Sequence, residues 1–182
     1  MFLVSNPYKI AYDSWPIDWL TNYIEKKQRR SIIETTKAIR QKLGLIYSIH
    51  GSFNSGLLQF EMLFNESVTG LLAHMKKEEE AFFPLVREII HPREIHRRMN
   101  RKLFDKIEVV IQSLNNELKI ESQRLKLIAQ LKHNREPFEG TCRIHEALFD
   151  LLKDFQEDFE LHVYLQCKLL FPKVIAMKYD EI

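Results

Sequence analysis

The sequence predicts an all-α fold, an up-down-up-down four-helix bundle, on three observations. Apolar residues recur at alternating spacings of three and four over almost the whole chain, the period of a helix with one buried face. Only 5 Gly and 6 Pro occur in 182 residues, too few for a turn-rich sandwich or a propeller. The breaks that do occur leave four long segments joined by short connections, which favours antiparallel neighbours. The length suits one domain with a sizeable core. The expected organisation is a lead segment over 1–15 and a single bundle over 16–182.

Composition narrows the class further. Hydrophobic residues make up 45% and charged residues 29%, a globular and not a disordered balance. Lys+Arg 27 against Asp+Glu 25 leaves +2, so neither nucleic acid nor an acidic membrane surface is expected as a partner. Two cysteines exclude a disulfide scaffold and a Cys-based zinc ribbon. No run of 18 apolar residues is present, and MFLVSNPYKI lacks the basic start and long apolar stretch of a signal peptide. The expectation is a cytoplasmic protein with reduced thiols and no membrane contact.

The first helix opens at Asp13, Ser14 and Pro16, a cap followed by a proline. Its seam is Ile32, Thr36, Ile39, Leu43, Ile46 and His50, and one step back it passes through Arg29. Gly51, Ser52, Asn54, Ser55 and Gly56 read as a loop. The second seam is Leu57, Phe60, Phe64, Ser67, Leu71, His74 and Glu78, closed by Pro84 and His91-Pro92. The third is Phe104, Ile107, Ile111, Leu114, Leu118, Glu121, Leu125 and Ile128, broken at Asn134 to Pro137. The fourth is Leu148, Leu152, Phe155, Phe159, His162, Gln166 and Leu169, with Pro172 near its end.

The exceptions to these apolar seams are Arg29, His50, His74, Glu78, Glu121, His162 and Gln166. Burying each costs several kcal/mol unless it is paired or bound to metal. Two of the segments repeat at an offset of 88: His74 with Glu78, then Phe83-Pro84, and His162 with Gln166, then Phe171-Pro172. Residues at i and i+4 stand on one helix face, about 6 Å apart along the axis. A His and a carboxylate so placed can reach one ion in the bundle centre, and imidazole with carboxylate suits iron. Taken alone, either histidine could equally be a core residue bonded to its neighbours. The Phe-Pro pairs read as a plug at the bundle end and a proline that bends or stops the helix.

These residues carry a resemblance. Trp15-Pro16-Ile17-Asp18-Trp19-Leu20, Ser48-Ile49-His50-Gly51, His74 to Glu79, Leu170-Phe171-Pro172 and Cys142 placed 20 before His162 are similar to the hemerythrin-like HHE superfamily. Within it they look most like the repair-of-iron-centres (RIC) group, over roughly 15–177. The resemblance implies a non-haem iron site and a role in restoring iron–sulfur clusters after nitric oxide or peroxide damage. Damaged iron–sulfur proteins would then be the partners.

The family ligand set is one His from each helix and two bridging Glu. Carried over, His74, Glu78 and His162 remain as metal ligands. Arg29 stands at the first-helix His position, Leu118 at the third, and Gln166 replaces the second Glu. Glu121, one turn past Leu118, is a possible substitute carboxylate, and Gln166 a possible supporting group. His50 lies about 30 Å along the helix from Arg29, too far to fill in. The resemblance itself implies a di-iron centre; with these changes a working di-iron centre, a single iron on His74, Glu78 and His162, and no metal at all stay open. The alternative function is a metal-free bundle acting as an interaction module. In that case Arg29 would point inward and neutralise Glu78.

The basic runs at Lys26 to Arg30 and Arg93 to Lys102 read as solvated helix faces, with no nucleic-acid motif beside them. Cys167, next to Gln166, is the thiol nearer the site. No nucleophilic triad, phosphate loop or dinucleotide fingerprint is present, so no enzyme activity is expected.

Overall fold

The computed structural model describes residues 10–50, 55–90, 101–133 and 143–179. The side chain of His50, the pair His91-Pro92, the basic run from Arg93 to Asn100, the break at Asn134 to Pro137 and Cys142 lie outside the described residues. Among the described residues the regular structure is entirely helical, and the four long rods of the expected bundle are present. The helices are α1 (Ile17–Tyr23), α2 (Arg29–His50), α3 (Ser55–Lys77), α4 (Phe83–Ile90), α5 (Arg101–His133), α6 (Arg143–Tyr164) and α7 (Phe171–Ala176). Ser55 and Gly56, expected in a loop, open α3 instead.

Seven helices make four rods because three of the joints are π-helical turns that continue the coil. These turns are Ile24–Gln28 between α1 and α2, Glu78–Phe82 between α3 and α4, and Leu165–Leu170 between α6 and α7. Their bonds reach back five residues: Arg29 N–H to the Ile24 carbonyl, Phe83 N–H to Glu78, and Phe171 N–H to Gln166. Such turns hold one residue more than an α-turn and occur often at functional sites.

The wider turn changes the period of the buried face. Leu20, Ile24, Gln28 and Ile32 are all buried at a constant spacing of four. So are His74, Glu78, Phe82 and Val86, and again His162, Gln166, Leu170 and Val174. In α5 the buried positions Phe104, Ile107, Ile111, Leu114 and Leu118 keep the ordinary three-four alternation. Pro84 and Pro172 do not stop their rods, contrary to expectation. A proline ring collides with the carbonyl four residues back in a regular helix. Here those carbonyls, of Glu80 and Lys168, belong to π turns, where the coil is wider.

The rods pack as two close pairs, α2 along α6 and α3 along α5. Between α2 and α3, Arg40 donates to Asn65 Oδ1 at 3.1 and 3.2 Å, and the Tyr47 hydroxyl donates to Glu61 at 2.6 Å. The core falls into two halves. One gathers Leu20, Ile24, Phe82, Ile107, Leu170 and Phe171 towards the chain start. The other gathers Ile39, Phe64, Leu71, Leu118, Phe155 and Phe159. Phe82 meets Phe171 edge-on at 5.1 Å in the first, and Phe64 meets Phe155 at 5.4 Å in the second. Gln28 and Glu78 lie in sequence between the two halves and Gln166 follows Leu165 of the first, each in a π turn.

The Trp15-Pro16 segment closes one end. Lys173 donates to the carbonyls of Asp13 and Trp15, both at 2.7 Å, and the Tyr164 hydroxyl donates to Asp13 at 2.8 Å. Tyr12 is buried there, its ring edge-on to Trp15 at 4.9 Å. Among the described residues no helix is long and apolar enough to cross a membrane.

Candidate metal centre

His74 comes from the last turn of α3, Glu78 from the first position of the following π turn, and His162 from the end of α6. All three are buried, with exposures of 0%, 2% and 0%. One ligand atom from each lies within 4.8 Å of the others, and among the described residues this is the cluster able to hold a metal. Glu78 Oε1 is 3.6 Å from His74 Nε2 and 3.8 Å from His162 Nε2. Gln166 Oε1, also buried, is 3.3 Å from His74 Nε2. The two imidazoles stand edge to face with centroids 5.5 Å apart.

This donor set fits a metal ion. Glu78 Oε1 and both ring nitrogens of His162 are buried without a hydrogen-bond partner. Leaving such groups unsatisfied costs about 1–3 kcal/mol each. A cation between them would satisfy a carboxylate oxygen and an imidazole nitrogen together. Metal–ligand bonds of about 2.0–2.2 Å place neighbouring donors roughly 3–4 Å apart, the range of the separations just given.

Electrostatics treats the two histidines differently. Burial lowers the His74 pKa most, but the carboxylates of Glu78 and Glu117 more than reverse it, and the net direction is upward. Burial dominates at His162 and pushes it down to about 4, with only partial compensation from Glu78. Without metal, His74 therefore holds its proton to higher pH than an ordinary histidine, and His162 stays neutral down to about 4.

Arg29 does not enter this site. Its guanidinium pairs with Glu79 at the surface, and its side chain is 35% exposed. The expected Arg29–Glu78 pair is thus replaced by an Arg29–Glu79 pair. The physical reason is the first π turn, which shifts the register so that Gln28 takes the interior position. Gln28 is buried between Ile24 and Ile32, and its Oε1 has no partner. Next to it in the chain, Arg29 pairs with Glu79, the residue that follows Glu78. The unbroken run of fours from Leu20 to Ile32 is the sequence signal that marks it.

Leu118 faces inward and is buried in the second half-core. Glu121 is buried but turned towards Gly70 and paired with Arg124, not with the histidines. A Cβ added at Gly70 would meet Glu121 Oε1 at 2.0 Å, so the missing side chain there is what seats the carboxylate. Cys167 donates to Asn115 Oδ1 at 3.1 Å, and burial raises its pKa, which keeps it a thiol.

Fold and site together define a helical bundle protein with an interior cluster of two histidines and one carboxylate. Relatives give that class a direction. The chain is 22% identical over 158 residues to the iron-sulfur cluster repair protein ScdA of Staphylococcus epidermidis, covering 87% of this chain and 66% of that protein. It is 23% identical over 154 residues to ScdA of Staphylococcus haemolyticus, covering 85% and 65%. It is 31% identical over 105 residues to the iron-sulfur cluster repair protein YtfE of Yersinia pseudotuberculosis, covering 58% and 42%. No family model matches the chain. The resemblance to the RIC group seen in the sequence is borne out by these relatives. The chain spans just under two thirds of the length of the first relatives it matches.

Proposed function

We propose that this protein is a RIC-type non-haem iron protein that takes part in repairing iron–sulfur clusters damaged by nitric oxide or oxidants. The observation that supports it best is the buried His74–Glu78–His162 cluster with its unpartnered ligand atoms. The names of the relatives supply the biological direction. Damaged iron–sulfur proteins are the proposed partners, and the cytoplasm the proposed compartment. Residues 16–182 are taken to form the bundle, with 1–15 leading into it.

The site is read as mononuclear. A second ion would need donors from the first and third helices and a second carboxylate. The side chains near those places are Gln28, Leu118 and Gln166, which are neutral and weak or useless as iron ligands. Iron, if bound, would be held by His74, Glu78 and His162 and would supply one-electron chemistry. The chain itself supplies the rest. Phe159 and Leu165, three residues to either side of His162, and Leu118, next to Glu117, are buried apolar side chains that exclude water. Gln166 presents an amide beside His74.

Elemental analysis of protein purified without chelator, then loaded anaerobically with ferrous iron, tests this reading. One iron per chain is expected, lost in the His74→Ala variant. Two irons per chain would overturn the mononuclear site. No iron after loading would leave the metal-free bundle, working as an interaction module, as the function.

A further inference from the structure

We propose that Glu117, anchored by Lys77, is the positioning residue that aims His74 at the metal. This rests on the metal reading of the site above. Glu117 sits on α5, one residue before the buried Leu118 and off its seam. Its Oε2 is 3.1 Å from His74 Nδ1. Its Oε1 accepts from the Lys77 ammonium, which also donates to Ser113 Oγ at 3.0 Å. His74 and Lys77 are three apart on α3, and Ser113 and Glu117 four apart on α5, so each pair shares a helix face. The four side chains tie the two helices together behind the imidazole.

The geometry sets which nitrogen faces the site. A carboxylate can only accept, so the ring proton at Nδ1 is donated to Glu117. That leaves Nε2 turned to Glu78 and Gln166. A partner on the rear nitrogen fixes both tautomer and ring plane of a metal-ligating histidine, and its removal typically costs metal affinity. Lys77 holds the carboxylate in turn. His162 has no equivalent: neither ring nitrogen has a hydrogen-bond partner, and the nearest carboxylate oxygen, Glu78 Oε1, lies 3.8 Å from its Nε2. His74 is therefore the pre-oriented ligand of the two, and Glu117, at 29% side-chain exposure, is its support from the bundle surface.

Cobalt(II), titrated alone into the full chain, is the probe. Glu117→Ala should weaken its binding by about 10- to 100-fold. Glu117→Gln, whose amide oxygen still accepts from Nδ1, should recover part of that loss. Lys77→Met should fall between wild type and Glu117→Ala. In proton spectra of the cobalt protein, one strongly shifted ring N–H, from His74, should exchange slowly with solvent. It should be lost or exchange fast in Glu117→Ala and persist in Glu117→Gln. Equal affinity in wild type and Glu117→Ala, with that N–H still protected, overturns the inference and leaves the metal site standing. No cobalt uptake by wild type overturns the metal reading and this inference with it. Should Glu117→Ala not fold, the Glu117→Gln and Lys77→Met comparison decides on the same two readouts.

Discussion

Exchanging Arg29 for alanine removes half of a surface ion pair with Glu79, and exposed pairs contribute little. The expected loss is under about 1 kcal/mol by denaturant titration. A loss several times larger would mean that Arg29 supports the interior after all. The complementary experiment is a triple exchange that introduces the ligand set implied by the RIC resemblance. Gln28→His with Leu118→His and Gln166→Glu should raise the iron bound per chain above the wild-type level. The same set with Arg29→His in place of Gln28→His should stay at that level, because Arg29 faces Glu79. Equal iron in both triples would show that the register through the first π turn is misassigned.

His162 carries a pH signature in the metal-free protein. Its imidazole is neutral in both folded and unfolded chains above its ordinary pKa of 6.5. Below that, the unfolded chain takes up a proton that the folded chain refuses until about 4. Stability should therefore fall as pH drops from 6.5 to 4, by about 3 kcal/mol from this residue, and level off below. His74 acts the other way. Its pKa is raised on folding, so its contribution is complete below 6.5 and fades only as pH rises above it. The window from 6.5 to 4 thus isolates His162 among the two site histidines. A His162→Leu variant should show a shallower decline there in metal-free urea titrations. An unchanged slope would contradict the burial of a neutral imidazole.

At the scale of elements, the π turns decide which side chains meet. Deleting Lys27, an exposed residue inside the first turn, should convert it towards an ordinary helix. That would rotate α1 by about 100° relative to α2. Leu20 and Ile24 would leave the core, where each is almost fully buried. The cost should be several kcal/mol, from two large side chains at about 1.5–3 kcal/mol each. A denaturation midpoint equal to wild type would show that the turn has no role in register.

The same turns explain what could and could not be read from the residues. The three-four alternation made the bundle legible, and α5, which has no π turn, matches it position by position. His74, Glu78 and His162 were legible because the repeat placed them on matched seams. Gln28 was hidden because a strict three-four count steps from Ile32 to Arg29. The fours running from Leu20 through Ile32 carry the information, but only if a wider turn is allowed. Glu117 was hidden for another reason. It is a glutamate beside a seam leucine, on a face that periodicity assigns to solvent. Its role appears only when α3 is laid against α5.

For the molecule as a whole, the two half-cores meet across a layer of buried polar groups. Glu78 Oε1, both His162 ring nitrogens and the Gln166 amide nitrogen there lack hydrogen-bond partners, a cost that the metal-free bundle carries in its interior. An ion binding only the folded chain adds about 2.7 kcal/mol at a hundredfold excess over Kd. Melting temperature should rise with cobalt(II) concentration in wild type and stay flat in His74→Ala. A parallel rise in both would place the stabilising ion elsewhere. Amide exchange should slow most on cobalt addition in the turns at Glu78–Phe82 and Leu165–Leu170, since the proposed ligands Glu78 and His162 lie in or beside them.

The π turns also bear on how a count along the rods is kept. Each holds one residue more than a regular turn, so positions on either side of it fall out of step by one place. A regular helical count back from Ile32 lands on Arg29 and reports a cation where the interior holds an amide. A tally of ligand-type residues on these rods therefore depends on where the wider turns are placed, before any chemistry is considered.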